Sequence, residues 1–296
     1  MKRTVTIPAT IISILLGVII AYAGSQGSEI YNGIALFALC ASVSYLLHWI
    51  IFIPSYIFQT EHYFDLTGSI SYLAAIGLGF YLNPSMDPRD LLIGALIVIW
   101  ALRLGSFLFL RVKQDGKDNR FTVMKTQFHW YIMTWTIGGL WVFLTMAAGL
   151  AAITSNVNVP LGGLAYLGFA LWIFGFSIEV IADRQKRNFK KQQNKDKEFI
   201  TSGLWAWSRH PNYFGEITLW LGLTLIALPV LNGWQLVTLI SPIFVYILLT
   251  RISGIPMLEN RGKKKCKPDT RSGICLLYTS DAADEVARGG LGGRGG

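Results

Sequence analysis

Between Gly203 and Glu216 the chain sets Arg209, His210, Asn212, Tyr213 and Glu216 directly ahead of an apolar run, with Trp205, Trp207 and Ser208 just upstream. Polar and charged groups at the edge of a hydrophobic segment are costly unless something binds them. Trp205, Trp207 and Tyr213 carry amphipathic rings that settle at a bilayer interface, and Pro211 stops any helix arriving from the N-terminal side so that a new one starts after it. The stretch reads as an anion site at the mouth of a membrane helix. Arg209 offers phosphate a bidentate partner, and the N–H groups of a helix start favour negative charge. A phosphate-bearing cofactor is the natural occupant; an interfacial aromatic and basic belt without a ligand is the plainer alternative.

Three further clusters carry candidate chemistry. Glu179, Asp183 and Arg187 stand four residues apart, which puts them on one face of a helix, and Arg103, Phe107 and Arg111 repeat that spacing. Together they can hold the ribose and phosphates of a dinucleotide, or else form an ion-pair network between helices. Gln59, Glu61 and Tyr63 lie in a polar break between two apolar stretches. Glu and Tyr in an apolar setting shift toward their neutral, hydrogen-donating forms and can serve a carbonyl group, although an ordinary polar loop has the same composition. Asp115, Lys117, Asp118, Asn119 and Arg120 form the last cluster, with a solvated turn as its default reading.

The elements that must position these groups are membrane helices. Of the 296 residues 52% are apolar and 13% aromatic, above the roughly 45–50% of soluble domains, and the mean hydropathy is +0.45. Stretches near the ~20 residues that cross a bilayer run at about 7 to 23, 30 to 53, 66 to 82, 90 to 110, 131 to 153, 160 to 182 and 234 to 250, with a shorter one at about 214 to 229. The expectation is an all-α integral membrane protein: seven transmembrane helices plus a short re-entrant or interfacial helix.

Basic residues crowd the segments at about 111 to 130 and 183 to 213, whereas those at about 24 to 30, 83 to 90 and 154 to 159 contain only Arg89. Lys/Arg-rich loops face the cytosol, so both rich loops, and the N-terminus with Lys2 and Arg3, are expected there. The first apolar stretch, ending in Ala21-Tyr22-Ala23, also has the layout of a secretory signal. A net charge of +9 sits in juxtamembrane loops, which suits anionic headgroups and a phosphorylated cofactor rather than nucleic acid. The three cysteines and four scattered histidines have no metal-type spacing, and nothing calls for an obligate protein partner.

After about residue 260 the aromatic membrane sequence gives way to a Lys-rich and then Gly/Arg-rich end, including Cys275-Leu276-Leu277-Tyr278-Thr279-Ser280, which looks like translated adapter sequence. The reading is one membrane domain over 1–260 and a non-native or disordered tail over 261–296.

The ordered set Leu102-Arg103-Leu104, Gly116-Lys117-Asp118-Asn119-Arg120-Phe121, Glu179 to Lys186 and Ser208 to Glu216 resembles the steroid 5α-reductase superfamily, in particular its bacterial branch. The resemblance implies a seven-helix membrane reductase, in a bacterial inner membrane, that takes NADPH from the cytosol and reduces the 4,5 double bond of a 3-oxo steroid or similar enone. It carries cofactor contacts onto Arg103, Asp183, Arg187, Asn212, Glu216, Arg251 and Glu259. The motifs add Asp118, Arg120, Glu179, Trp207, Ser208, Arg209, His210 and Tyr213 to that set. In the family a Gln-Glu pair and a distant Tyr polarise the ketone; here Thr60 separates Gln59 from Glu61, and the Tyr position falls on Trp100. The Trp100 N–H, the Tyr63 O–H and a protonated Glu61 are each candidate donors. A membrane methyltransferase using S-adenosylmethionine shares the Arg-His-Pro-x-Tyr motif, but the Glu179 to Arg187 ladder suits a larger dinucleotide. A non-enzymatic sterol-binding protein is the third reading, and cofactor co-purification separates all three.

Overall fold

The computed structural model describes residues 2–115, 121–192, 200 and 202–252; the sequence-predicted Asp118, Arg120 and Glu259, and the 261–296 tail, lie outside the described residues. The helices are α1 (Arg3–Gly24), α2 (Leu36–Ile57), α3 (Phe64–Leu82), α4 (Pro88–Asp115), α5 (Phe128–Ile153), α6 (Gly163–Gln192), α7 (Pro211–Ala227) and α8 (Ile240–Ile247), with a two-stranded ribbon, β1 (Ile30–Tyr31) and β2 (Ile34–Ala35), between α1 and α2. Seven helical stretches among the described residues are long and apolar enough to cross a membrane. The chain is an all-α integral membrane protein.

Those seven differ from the sequence reading at two places. The piece expected to be short, 214 to 229, is a full-length stretch, because Pro211 opens α7 three residues earlier and a 3₁₀ turn at Leu228–Val230 extends it. Conversely α3 falls outside the set by composition, since Asp65, Thr67, Ser69 and Ser71 dilute its apolar residues. Geometry nevertheless makes α3 a crossing helix. At its start, Thr60 accepts a 2.6 Å hydrogen bond from the Tyr131 hydroxyl in the first turn of α5, and at its end Asn83 donates to the carbonyl of Ile153, the last residue of α5, at 2.7 Å. The two helices run side by side over the same depth.

The chain divides into two compact units, whose boundaries fall within α6, α7 and α8. The first comprises Met1–Ile173 and Leu219–Phe244. Its centre is α5, buried at every residue from Val142 to Ile153, as an all-round apolar helix must be. Connections that the sequence reading placed on one membrane side do meet at one end of this unit. Glu29 and Asn156 bond across to Thr154 and Gly27, Ser85 donates to Glu29, and the Trp234 N–H donates to Gln26. Arg89, the lone basic residue of that side, is buried and donates to the carbonyls of Val159, Pro160 and Ile226. It closes the C-terminal end of α7, where a cation meets the negative pole of the helix. The second unit comprises Phe174–Thr218 and the described residues from Val245 onward, including a π-helical turn at Leu248–Ile252 that carries the exposed Arg251.

Candidate functional site

In the second unit the segment 203 to 207 folds back onto the end of α6. Gly203 has φ +63, a left-handed conformation that side chains resist, and it turns the chain so that the Leu204 N–H donates to the Gln185 side chain at 3.0 Å. The Trp205 indole N–H donates to the Ala182 carbonyl at 3.0 Å, and the Lys186 ammonium lies 5.1 Å from the centre of the same ring. Trp207, by contrast, is 91% exposed, which leaves its ring for the interface or a ligand.

Pro211 then opens α7, with the His210 and Tyr213 rings stacked 5.3 Å apart across the start. The Tyr213 and Phe214 N–H groups both donate to the His210 carbonyl. The entrance therefore keeps fewer open N–H groups than the anion-site reading requires, and phosphate must rely on side chains: Arg209 and Arg187 are both exposed. One turn further, Gly215 allows α7 to touch α6. A Cβ at this position would stand 2.6 Å from the Gly175 carbonyl oxygen and 2.7 Å from the Glu179 N, so only glycine permits the approach, as small residues do between membrane helices.

That contact sets the expected ladder beside the expected motif. Glu179 and Asp183 are buried on α6, and Asn212 and Glu216 flank the contact on α7. The Asn212 Oδ1 is buried with no hydrogen-bond partner among the described residues. Ser208 accepts a weak bond from the His210 N–H at 3.3 Å, which shapes the turn before Pro211.

The expected catalytic residues belong to the first unit, where they occupy two places rather than one. Gln59 has φ +50 and its side-chain amide donates to the Tyr56 carbonyl at 2.7 Å. Glu61 is only 4% exposed, and its Oε2 lies 2.5 Å from the Lys125 Nζ. Lys125 is 24% exposed and is delivered by the 3₁₀ turn Met124–Thr126. Just upstream of that turn, Phe121 is sunk in an aromatic cluster with Phe52, Tyr131 and Trp135. The Lys125 ammonium donates to the Glu61 carboxyl group. Tyr63 is half exposed and lines an apolar cavity of about 320 Å³ with Thr60, Ser55 and Thr67.

Trp100 sits elsewhere. It is fully buried on α4, 5.3 Å from the Tyr72 ring and 4.9 Å from that of Trp220. Tyr72 is nine residues along α3 from Tyr63, roughly 13 Å of helix rise, so Trp100 is no part of the Gln59 to Tyr63 cluster. Arg103, one turn beyond Trp100, stacks over Phe107 at 5.5 Å, as their spacing suggested. Lys125, Tyr131 and Tyr72 were missed in the sequence reading. Lys125 was counted there only as loop charge, and no local pattern links it to Glu61 across 64 residues.

No solved structure matches the chain. Among curated proteins it is similar to 3-oxo-5-alpha-steroid 4-dehydrogenase 1 of Rattus norvegicus, 33% identical over 85 residues, 28% of this chain and 30% of that protein. The enzyme of the same name from Mus musculus is 36% identical over 58 residues, 20% of this chain and 23% of its own. An uncharacterized protein of Schizosaccharomyces pombe is 26% identical over 135 residues, 38% of this chain and 39% of that one. The chain thus spans less than half the length of each of these relatives. Residues 51–272 match the family model described as "Protein of unknown function (DUF1295)". That match takes in every described residue of both candidate places, and with the two dehydrogenase similarities it makes the chain a member of the DUF1295 family and of the steroid 5α-reductase superfamily.

Proposed function

We propose that this protein is an NADPH-dependent membrane reductase of the 4,5 double bond of 3-oxo-4-ene steroids or closely similar lipid enones. The observation that carries the reading is the seat of α7 on α6 at Gly215, which groups Glu179, Asp183, Asn212 and Glu216 and leaves the Asn212 Oδ1 buried without a hydrogen-bond partner among the described residues. The donor set fits a dinucleotide. Carboxylates on α6 suit ribose hydroxyls, Asn212 accepts from an amide or amino group, and exposed Arg187 and Arg209 suit phosphates, including the extra one of NADPH. Arg103 and Arg251 join this set by resemblance, and Asp118, Arg120 and Glu259 remain part of the proposal.

When bound, NADPH would supply the hydride for C5 of the steroid, and a proton from solvent would complete the saturation at C4. The protein's part is to hold the enone and to place donors where the 3-ketone oxygen gathers negative charge. Tyr63, whose ring lines the apolar cavity, and the Gln59 amide are the proposed donors, while Glu61, paired with Lys125, fixes the turn that carries them. Trp100, buried against Tyr72 and Trp220 apart from this turn, stays in the proposal as an alternative donor. In this reading the basic loops and the cofactor site face the cytosol of a bacterial inner membrane, as the Lys/Arg excess of those loops supports.

The test is NADPH oxidation by purified protein with progesterone or testosterone, with the reduced product identified by mass. Co-purified NADP(H) and a two-hydrogen mass gain support the reading. S-adenosylmethionine in its place, or no turnover of any 3-oxo-4-ene steroid, overturns it.

A further inference from the structure

A second cavity in the first unit shares no lining residue with either candidate place. It is a groove of about 1300 Å³ between α1 and α2, floored by Phe143 of α5. That exceeds the roughly 300–1,000 Å³ of a drug-sized pocket. Its walls include small residues at helical spacing, Gly17 and Ala21 on α1 and Ala38 and Ser42 on α2, among bulkier apolar ones such as Val18 and Leu46. Both helices are membrane-crossing stretches, so the mouth of the groove faces hydrocarbon.

The chemistry of the walls specifies the occupant. No lining residue is charged. The polar side chains along the walls are already engaged: Ser42 donates to the Leu39 carbonyl at 2.7 Å, Tyr45 to the Ser13 carbonyl at 2.9 Å, and the Trp49 indole to Thr136 at 3.1 Å. A column of water finds no partners here, and a phosphate headgroup finds no counter-charge. Only at the loop end do exposed amphipathic rings, Tyr22 and Trp234, stand where a small polar head would sit.

We propose that this groove binds an uncharged long-chain membrane lipid, with its hydrocarbon along α2 and its neutral polar end against Trp234. The site stands or falls independently of the reductase reading.

Native mass spectrometry of the full chain, incubated with equimolar dioleoylglycerol and dioleoylphosphatidylglycerol, tests it. Wild type is expected to retain the dioleoylglycerol about tenfold over the anionic lipid, a preference equal to roughly two buried methylene groups. Ser42→Trp, which fills the groove, should lower that retention by a similar factor, whereas Ser42→Leu should keep it. Ala38→Phe is the filling variant to read if Ser42→Trp does not fold. Equal retention of both lipids, preference for the anionic one, or unchanged retention in a folded filling variant overturns the proposal. So does a double-mass species that Ser42→Trp abolishes, because a second copy of the chain would then occupy the groove.

Discussion

The α6 and α7 end of the second unit and the α2–α3 turn of the first are organised in opposite ways. In the former, residues that matter lie within a few turns of one another in sequence, from Glu179 to Asp183 and from Arg209 to Glu216, and one side-chain-free contact at Gly215 brings the two runs together. In the latter, the central residue, Glu61, depends on a cation 64 positions away, delivered by an aromatic anchor at Phe121. The first arrangement suits recognition of a large ligand by many groups. The second suits a single group held in one position. The difference separates affinity from turnover, and substitutions can break or sharpen that separation.

The largest effect is expected from Gly215→Leu. A side chain there collides with the α6 backbone at Gly175 and Glu179, so α7 lifts and cofactor binding is lost, with about 1–3 kcal/mol of stability removed as in other overpacked contacts. NADPH titration and thermal unfolding in detergent check both parts; unchanged affinity would remove Gly215 from the account. Next comes Tyr63→Phe, which deletes a proposed donor and should cut turnover by ~10²–10³ while NADPH affinity stays constant. A variant that loses affinity instead would merge the two regions into one site.

Lys125→Met removes the cation 2.5 Å from the buried Glu61 carboxylate. The expected cost is about 2 kcal/mol, below the 3–5 of a fully buried pair because Lys125 is partly exposed, with Lys125→Arg restoring most of it. Thermal melts of the two variants decide this, and equal melting of Lys125→Met and wild type would make the pair energetically idle. The smallest effects belong to single cofactor contacts. Arg209→Ala and Asn212→Ala should each weaken NADPH by about tenfold with the fold and the turnover at saturation retained. Binding of NADPH and NADH with equal affinity would detach the exposed arginines from the extra phosphate.

Much of the fold was legible because membrane crossing is a local property. About twenty apolar residues make a span wherever they occur, and Pro211 announces a helix start by the same local steric rule that applies in any chain. The same holds for the ladder of Glu179, Asp183 and Arg187, whose common face follows from helical periodicity alone. Hydropathy misled at 214 to 229, where Pro211 and the 3₁₀ turn at Leu228–Val230 carry α7 beyond its most apolar residues. α3 was legible at 66 to 82 even though it carries buried Thr67, Ser69 and Ser71, which neighbouring helices rather than lipid cover.

The sequence by itself determined the helical class, the place of most crossing stretches and the contiguous motif at the start of α7, since each is written within one or two dozen residues. Tertiary structure alone decided which charges would meet. Arg89, read from sequence as a stray positive charge, is a buried clamp on three carbonyls, and Lys125, read as loop charge, is the partner of Glu61. The physical reason is that a charge in an apolar bundle must find whatever polar group the packing presents, and which group that is depends on which helices become neighbours.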